Sequence, residues 1–200
     1  MEGKIFVLSL HRSATQSVHD LFVRSGLSAI HWPGYVDGID YQSRIIGKEN
    51  DPHFIASVLT PVFARATAFS DVPIPVLYRV LDAQFRGAKF IAVRRAASDW
   101  VRSVRRHCAE RKLNPYEKAQ YFQYLPGHPD MISDVSDSEL TEMHRKHHEA
   151  ISNFFALRVN FGLFELNDPG LGQRICQFLG RPPIELRHVD DVFYKQLGQT

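Results

Sequence analysis

Little in this chain offers a covalent or metal framework. Two cysteines, Cys108 and Cys176, stand among 200 residues. That is too few for a cysteine zinc site or a stapled small fold, and a reduced, cytoplasmic protein is the expectation. No apolar run approaches the roughly 18 residues of a membrane span. The first residues read as a strand rather than as a secretory leader. The net charge is only +2, so the molecule as a whole is not a polycation held on nucleic acid by bulk charge. There is no internal repeat, no low-complexity tract and no GxxxxGK[ST] phosphate loop. What remains is an ordinary soluble composition, 44% hydrophobic and 23% charged, long enough for one substantial core. A single domain over 1–200 is expected.

The apolar pattern alternates between strand-length runs and helical stripes. KIFVLSL (4–10), SAIHW (28–32), TAFS (67–70), KFIAV (89–93) and RVNFGLFEL (158–166) read as strands. Val18, Leu21 and Phe22 fall at helical spacing before Gly26, a natural stop. Residues 52–66 carry a helical stripe interrupted by Pro61. Pro75 opens another helix, and Ser98 is the expected cap of the next. Ser136 and Glu139 form a capping box. A last helix follows Asp168-Pro169 and stops at Gly180. Residues 109–138, with PGHPD and five acids but no base from Asp130 to Glu142, read as a surface loop or lid. Strands alternating with helices predict an α/β sandwich with a mostly parallel central sheet. In such sheets ligands gather at the carboxyl ends of the strands.

Two of those strand ends are basic. LSLHRSATQSV (8–18) leaves a strand and enters a helix through Arg12, Ser13, Ala14, Thr15, Gln16 and Ser17. The first turn of a helix has backbone N–H groups without intrahelical partners and a partial positive charge, so this turn suits an anion such as phosphate. Arg12 adds a full charge. The second basic site lies in residues 86–112, where nine Lys or Arg face two acids. Arg95 ends a strand, and Ser103, two helical turns on, is placed to share an anion with it. Only Phe90, within the strand run, and Trp100 interrupt that basic stretch with aromatic rings, which argues against stacking on nucleic-acid bases. HRKHH (144–148) sets His144 and His148 four apart without a third ligand. Cys108 falls on an apolar helix face, a core position. Trp32, just after a strand, is a packing residue placed to line a substrate site.

Two anion sites on one sheet edge fit a ligand with two separated phosphate-like groups. HRSATQS resembles the 5′-phosphosulfate loop of sulfotransferases. GAKFIAVRRAASDWVRSV resembles their 3′-phosphate segment, and SDVPIPVLYRVLDAQF the stretch before it. The tail, with RICQFLGRPP and RHVD, is similar to that of bacterial-type members. The resemblance implies a P-loop-like three-layer fold and transfer of a sulfuryl group from 3′-phosphoadenosine 5′-phosphosulfate (PAPS) to a hydroxyl or amine, leaving adenosine 3′,5′-bisphosphate (PAP), with no required metal. It implies that Arg12 binds the phosphosulfate together with residues Ser13 to Ser17, and that Arg95 and Ser103 hold the 3′-phosphate. Asp71 stands where the cytosolic members have the His of a His-Leu-Pro and is the expected base, provided its surroundings raise its pKa from about 3.9; His11 and His31 are the other candidates. Ala14 replaces a glycine of the family loop, at a cost of roughly 1 kcal/mol if that position needs positive φ. Ser17 replaces a flat aromatic residue, which leaves adenine contacts to the region of His188. The expected acceptor is a small molecule or glycan, held between residues 31–65 and the 109–138 stretch. The alternatives are a small nucleotide-dependent phosphotransferase and an inactive nucleotide-binding protein of the same fold.

Overall fold

The computed structural model describes residues 3–189. Five parallel strands form the central sheet: β1 (Ile5–Val7), β2 (Ala29–His31), β5 (Ala68–Ser70), β6 (Lys89–Arg94) and β7 (Phe161–Glu165), in the order β2-β5-β1-β6-β7. A two-stranded hairpin, β3 (Tyr35–Val36) with β4 (Ile39–Asp40), follows β2 and was not foreseen. Each strand is too short for its alternation to stand out from the sequence.

Alternation along β1 builds the layers. Successive side chains point to opposite faces. Ile5 and Val7 pack with Val18, Leu21 and Phe22 of α1 (Thr15–Arg24) and with Leu171 and Ile175 of α7 (Leu171–Leu179). Phe6 and Leu8 pack on the other face with α2 (Pro52–Phe63), α3 (Tyr78–Gln84) and the end of α6 (Asp137–Phe154). Phe6 meets Phe63 edge-on at 5.8 Å and lies beside Phe69 and Phe90. The result is the three-layer α/β sandwich expected. A third cluster under Leu10 joins α4 (Ala97–Cys108), α5 (Pro115–Phe122) and α6 through Trp100, Tyr121 and Met143.

Three local expectations change. Helix α2 continues through Pro61: the proline stands in the last turn on the exposed side, and the carbonyl it leaves without a partner belongs to exposed Ser57. Helix α4 begins at Ala97, with Ala96 rather than Ser98 at the cap position. The stretch 109–138 is not structureless. Asn114 caps α5 in a capping box with Glu117, and Tyr116, Glu117 and Tyr121 are buried. The Asn-Pro-x-Glu pattern was the legible signal. The capping box at Ser136 and Glu139 forms as read. No helix among the described residues is long and apolar enough to cross a membrane.

Candidate active site

The carboxyl ends of β1, β2, β5 and β6 open into a cleft of about 880 Å³. Its floor is the turn that follows β1. Arg12 and Ala14 both adopt left-handed backbone, φ 64° and 60°, and this bends the chain sharply into α1. Ala14 is the α1 cap residue, and no side chain caps this N-terminus. The N–H groups of Thr15, Gln16 and Ser17 therefore have no partner within the helix, and all three residues line the cleft with Arg12 and Ala14. Ser13 turns the other way. Its N–H donates to the carbonyl of Leu10 at 3.2 Å, and its hydroxyl is buried without a partner among the described residues.

The second basic site meets the first. Arg95, at the end of β6, donates from Nη1 to the Arg12 carbonyl at 3.1 Å and also lines the cleft. Burial, together with nearby Arg12, Arg106 and Arg102, pushes its guanidinium below the ordinary value, against the opposing pull of Asp99. Ser103 accepts from Arg12 Nε at 3.4 Å, so it supports the first arginine instead of facing the second alone.

His11 holds the turn in place. It is buried and its Nε2 lies 2.6 Å from the Tyr121 hydroxyl. Its carbonyl accepts from Trp100 Nε1 at 2.9 Å, and its N–H donates to Gln120 at 3.4 Å. Burial pushes its pKa down to about 4, so the ring is neutral at pH 7.

Asp71 follows β5 with φ 73°, before a cis Val72–Pro73 bond. Its Oδ1 accepts from Val72 N–H at 2.9 Å, and its Oδ2 lies 3.2 Å from His31 Nε2. His31 Nδ1 lies 3.0 Å from the Ser70 hydroxyl. Burial pushes the Asp71 carboxyl up, but His31, by charge and by hydrogen bond, together with His11 and the Val72 N–H, outweighs it, and the net direction is below the usual carboxylate range. The raised pKa expected of a base is thus replaced by a carboxylate that is ionised at neutral pH.

The wall opposite comes from the end of α4, from Arg111 and from α5; its lining residues His107, Arg111, Asn114 and Glu117 were not singled out, the last three because 109–138 read as a loop. Ser103, His107 and Arg111 recur every four residues. Arg111 Nη1 and Nη2 each lie 2.7 Å from an oxygen of buried Glu117, whose carboxyl is held below its ordinary value, mainly by this pair against its burial. Among the described residues His11, His107 and Glu117 are the one group with metal-ligand character, their ligand atoms within 4.8 Å of one another. The guanidinium of Arg111 already occupies both Glu117 oxygens. Elsewhere His144, His147 and His148 are buried, and Cys108 is buried with its thiol pushed up to about 12 by burial.

The last described residues complete the cleft. Arg187, His188 and Val189 line it, and Val189 N–H donates to the Ser17 hydroxyl at 3.2 Å. His188, the region expected to reach adenine, thus lines the same cleft as the turn after β1, and Arg187 joins it unannounced.

Residues 4–186 match the family described as "Sulfotransferase domain". No curated protein matches the chain. Among solved structures, a sulfotransferase from Alicyclobacillus acidocaldarius is 12% identical with a TM-score of 0.51, over 98% of this chain and 90% of that one. A shikimate kinase from Bacteroides thetaiotaomicron is 13% identical with a TM-score of 0.56, over 89% and 98%. At these identities the two structures speak for the P-loop-like fold alone.

Proposed function

Because the chain belongs to the sulfotransferase domain family, we propose that it moves a sulfuryl group from PAPS to an acceptor hydroxyl or amine. One observation carries the reading: Arg12 and Arg95 meet across the uncapped N-terminus of α1, in a loop without the lysine that an ATP-using P-loop carries. The donor supplies a sulfuryl group on a good leaving group. The chain supplies position and charge. The backbone N–H groups of Thr15 to Ser17 bind the 5′ end, and Arg12 sits where charge grows on the bridging oxygen. Arg95 holds the 3′-phosphate, while Ser103 steadies Arg12. Arg187 and His188 close over the nucleotide.

The acceptor oxygen bonds to sulfur as the bond from sulfur to the bridging oxygen breaks, and the proton of the acceptor passes to Asp71. A hydroxyl becomes strongly acidic as its oxygen bonds to sulfur, so a carboxylate of low pKa suffices late in the step. His31 holds that carboxylate in place. His11 stays neutral and braces the loop. No step needs a metal.

Thermal unfolding without metal, with PAP, 5′-AMP and ATP in parallel, tests this. A ligand at 100 times its Kd stabilises by about 2.7 kcal/mol. The expected result is a shift with PAP that exceeds the others and is lost in Arg12→Ala and Arg95→Ala. A larger shift with Mg²⁺-ATP moves the assignment to a phosphotransferase. PAP binding without donor turnover moves it to an inactive member.

A further inference from the structure

We propose that Ser70 is a positioning residue: it holds the His31 ring with its N–H on Asp71, so that Asp71, and not His31, takes the proton of the acceptor. This rests on the sulfotransferase reading, in which His31 and Asp71 both line the cleft. The sheet register sets the starting point. β2 and β5 pair in parallel with His31 opposite Ser70, so the imidazole and the hydroxyl leave neighbouring strands side by side. The chain then turns at Asp71 through left-handed backbone, φ 73°, a conformation that a short acidic side chain tolerates. That turn brings the carboxylate to the far side of the ring. Ser70 Oγ lies 3.0 Å from His31 Nδ1, and Asp71 Oδ2 lies 3.2 Å from His31 Nε2.

The serine decides which way these bonds run. Its hydroxyl is buried, and among the described residues its hydrogen-bond partner is His31 Nδ1 alone. A buried hydroxyl directs its proton to the acceptor within reach. Nδ1 therefore accepts, and the ring proton sits on Nε2, facing Asp71. A ring protonated on Nδ1, as the other tautomer or as imidazolium, would leave the serine proton without an acceptor. His31 thus enters the reaction as a donor, with its Nδ1 lone pair taken and its Nε2 already protonated. Asp71 stands the other way. Val72 N–H takes one lone pair of Oδ1 and His31 one of Oδ2, which leaves a lone pair on each oxygen for the acceptor.

In the transfer step the acceptor oxygen bonds to sulfur, and the bond from sulfur to the bridging oxygen breaks with its electron pair going to that oxygen. The acceptor proton moves to Asp71, while His31 and Ser70 neither gain nor lose one. Serine, imidazole and carboxylate follow one another as in a hydrolase triad, but Ser70 does not line the cleft and so cannot serve as a nucleophile. The other titratable rings nearby bring no charge at neutral pH. His19 of α1, 5.7 Å from the His31 ring, is pushed down to about 4 by burial and by His31. His11 is pushed down to about 4 by burial.

Nitrogen-15 NMR of the parent protein with PAP bound at pH 7.5 reads the ring directly. The His31 signals are identified by their loss in His31→Ala. The expected result is an unprotonated Nδ1 and an Nε2 proton that exchanges slowly with water. In Ser70→Ala the ring loses its anchor, so the Nε2 proton signal should weaken. With PAPS and p-nitrophenol as the acceptor probe, kcat should fall about 3- to 10-fold, the scale of one hydrogen bond. Its acid limb should move to higher pH, because the Asp71 carboxylate loses its donor part of the time, while PAP affinity stays that of the parent. Ser70→Thr, which keeps the hydroxyl, should keep both the signal and the limb. The assignment is overturned if Nδ1 of the parent ring is protonated, or if Ser70→Ala leaves either the Nε2 proton signal or the acid limb as in the parent. Failure of PAP to bind the parent would instead strike the sulfotransferase reading, and the ring state, read on the free protein, would still decide what Ser70 holds.

Discussion

Arg95 donates to the carbonyl oxygen of Arg12 at 3.1 Å, so the arginine just after β6 fixes the backbone of the loop that leaves β1. The two basic sites are mechanically one. Arg95→Ala should therefore weaken PAP about 10- to 100-fold, the worth of one or two charge-assisted bonds, and should also lower kcat. Arg12→Ala should act mainly on kcat, by about 10²–10³, the scale for removing a donor to developing charge. Calorimetric PAP titration beside steady-state kinetics separates the two. Equal PAP affinity in Arg95→Ala and the parent would refute the coupling.

The Asp71–His31 pair predicts a shift in a pH profile. Asp71→Asn should lower kcat by about 10²–10⁴ and leave PAP affinity unchanged. His31 holds the Asp71 carboxyl below its ordinary value, against burial. In His31→Ala only His11 and the Val72 N–H still oppose burial, so the acid limb of kcat should move to higher pH. An unmoved limb would show that His31 serves packing only.

Gly172 in α7 carries a prediction about the segment that closes the cleft. A Cβ there would fall 2.8 Å from the Glu185 carbonyl carbon and closer still to the Leu186 nitrogen and Ile184 oxygen. All three are backbone atoms, so the strand of chain that delivers Arg187 and His188 must move. Gly172→Ala should weaken PAP several-fold while α7 stays helical by circular dichroism. Unchanged PAP affinity would remove residues 184–189 from the nucleotide site.

Buried histidines predict how stability depends on pH. Burial pushes His11, His19 and His147 down to about 4 and His148 to about 2, with His31 adding to the effect on His19. Their unfolded value is about 6.5. Above it both states are neutral and the stability is intact. As pH falls from about 6.5 towards 4 the unfolded chain takes up protons that the fold refuses, and stability drops by about 1.4 kcal/mol per pH unit for each such histidine. Urea unfolding at pH 7.5 and pH 5 reads this directly. Both ring nitrogens of His148 are buried without hydrogen-bond partners among the described residues, so His148→Leu should stabilise by about 1–3 kcal/mol and flatten the pH dependence. A destabilised His148→Leu would show that the imidazole has partners of its own.

The sequence by itself determined the layers and the basic residues at one end of the cleft. Period-2 runs such as Ile5 to Leu8 and helical stripes such as Val18, Leu21 and Phe22 follow from local geometry. The βα turn at Arg12 and the basic end of β6 are equally local, whereas a left-handed Ala14 was only a conditional drawn from the glycine of the resembled loop. Tertiary structure decided the rest. That Arg95 reaches the Arg12 carbonyl, that His31 rather than solvent meets Asp71, and that Glu117 faces the cleft from a stretch read as a loop all depend on residues 40 to more than 100 positions apart. No periodicity encodes such pairings. They arise because β5 and β6 flank β1 in the sheet, and because α5 is drawn under Leu10 by Tyr121 and packs against the 3-10 turns at Ser43–Ile45 and Ile74–Val76. The setting of Trp32 was illegible for the same reason: its left-handed backbone and the glycine behind its ring make a contact that exists only once the chain has folded.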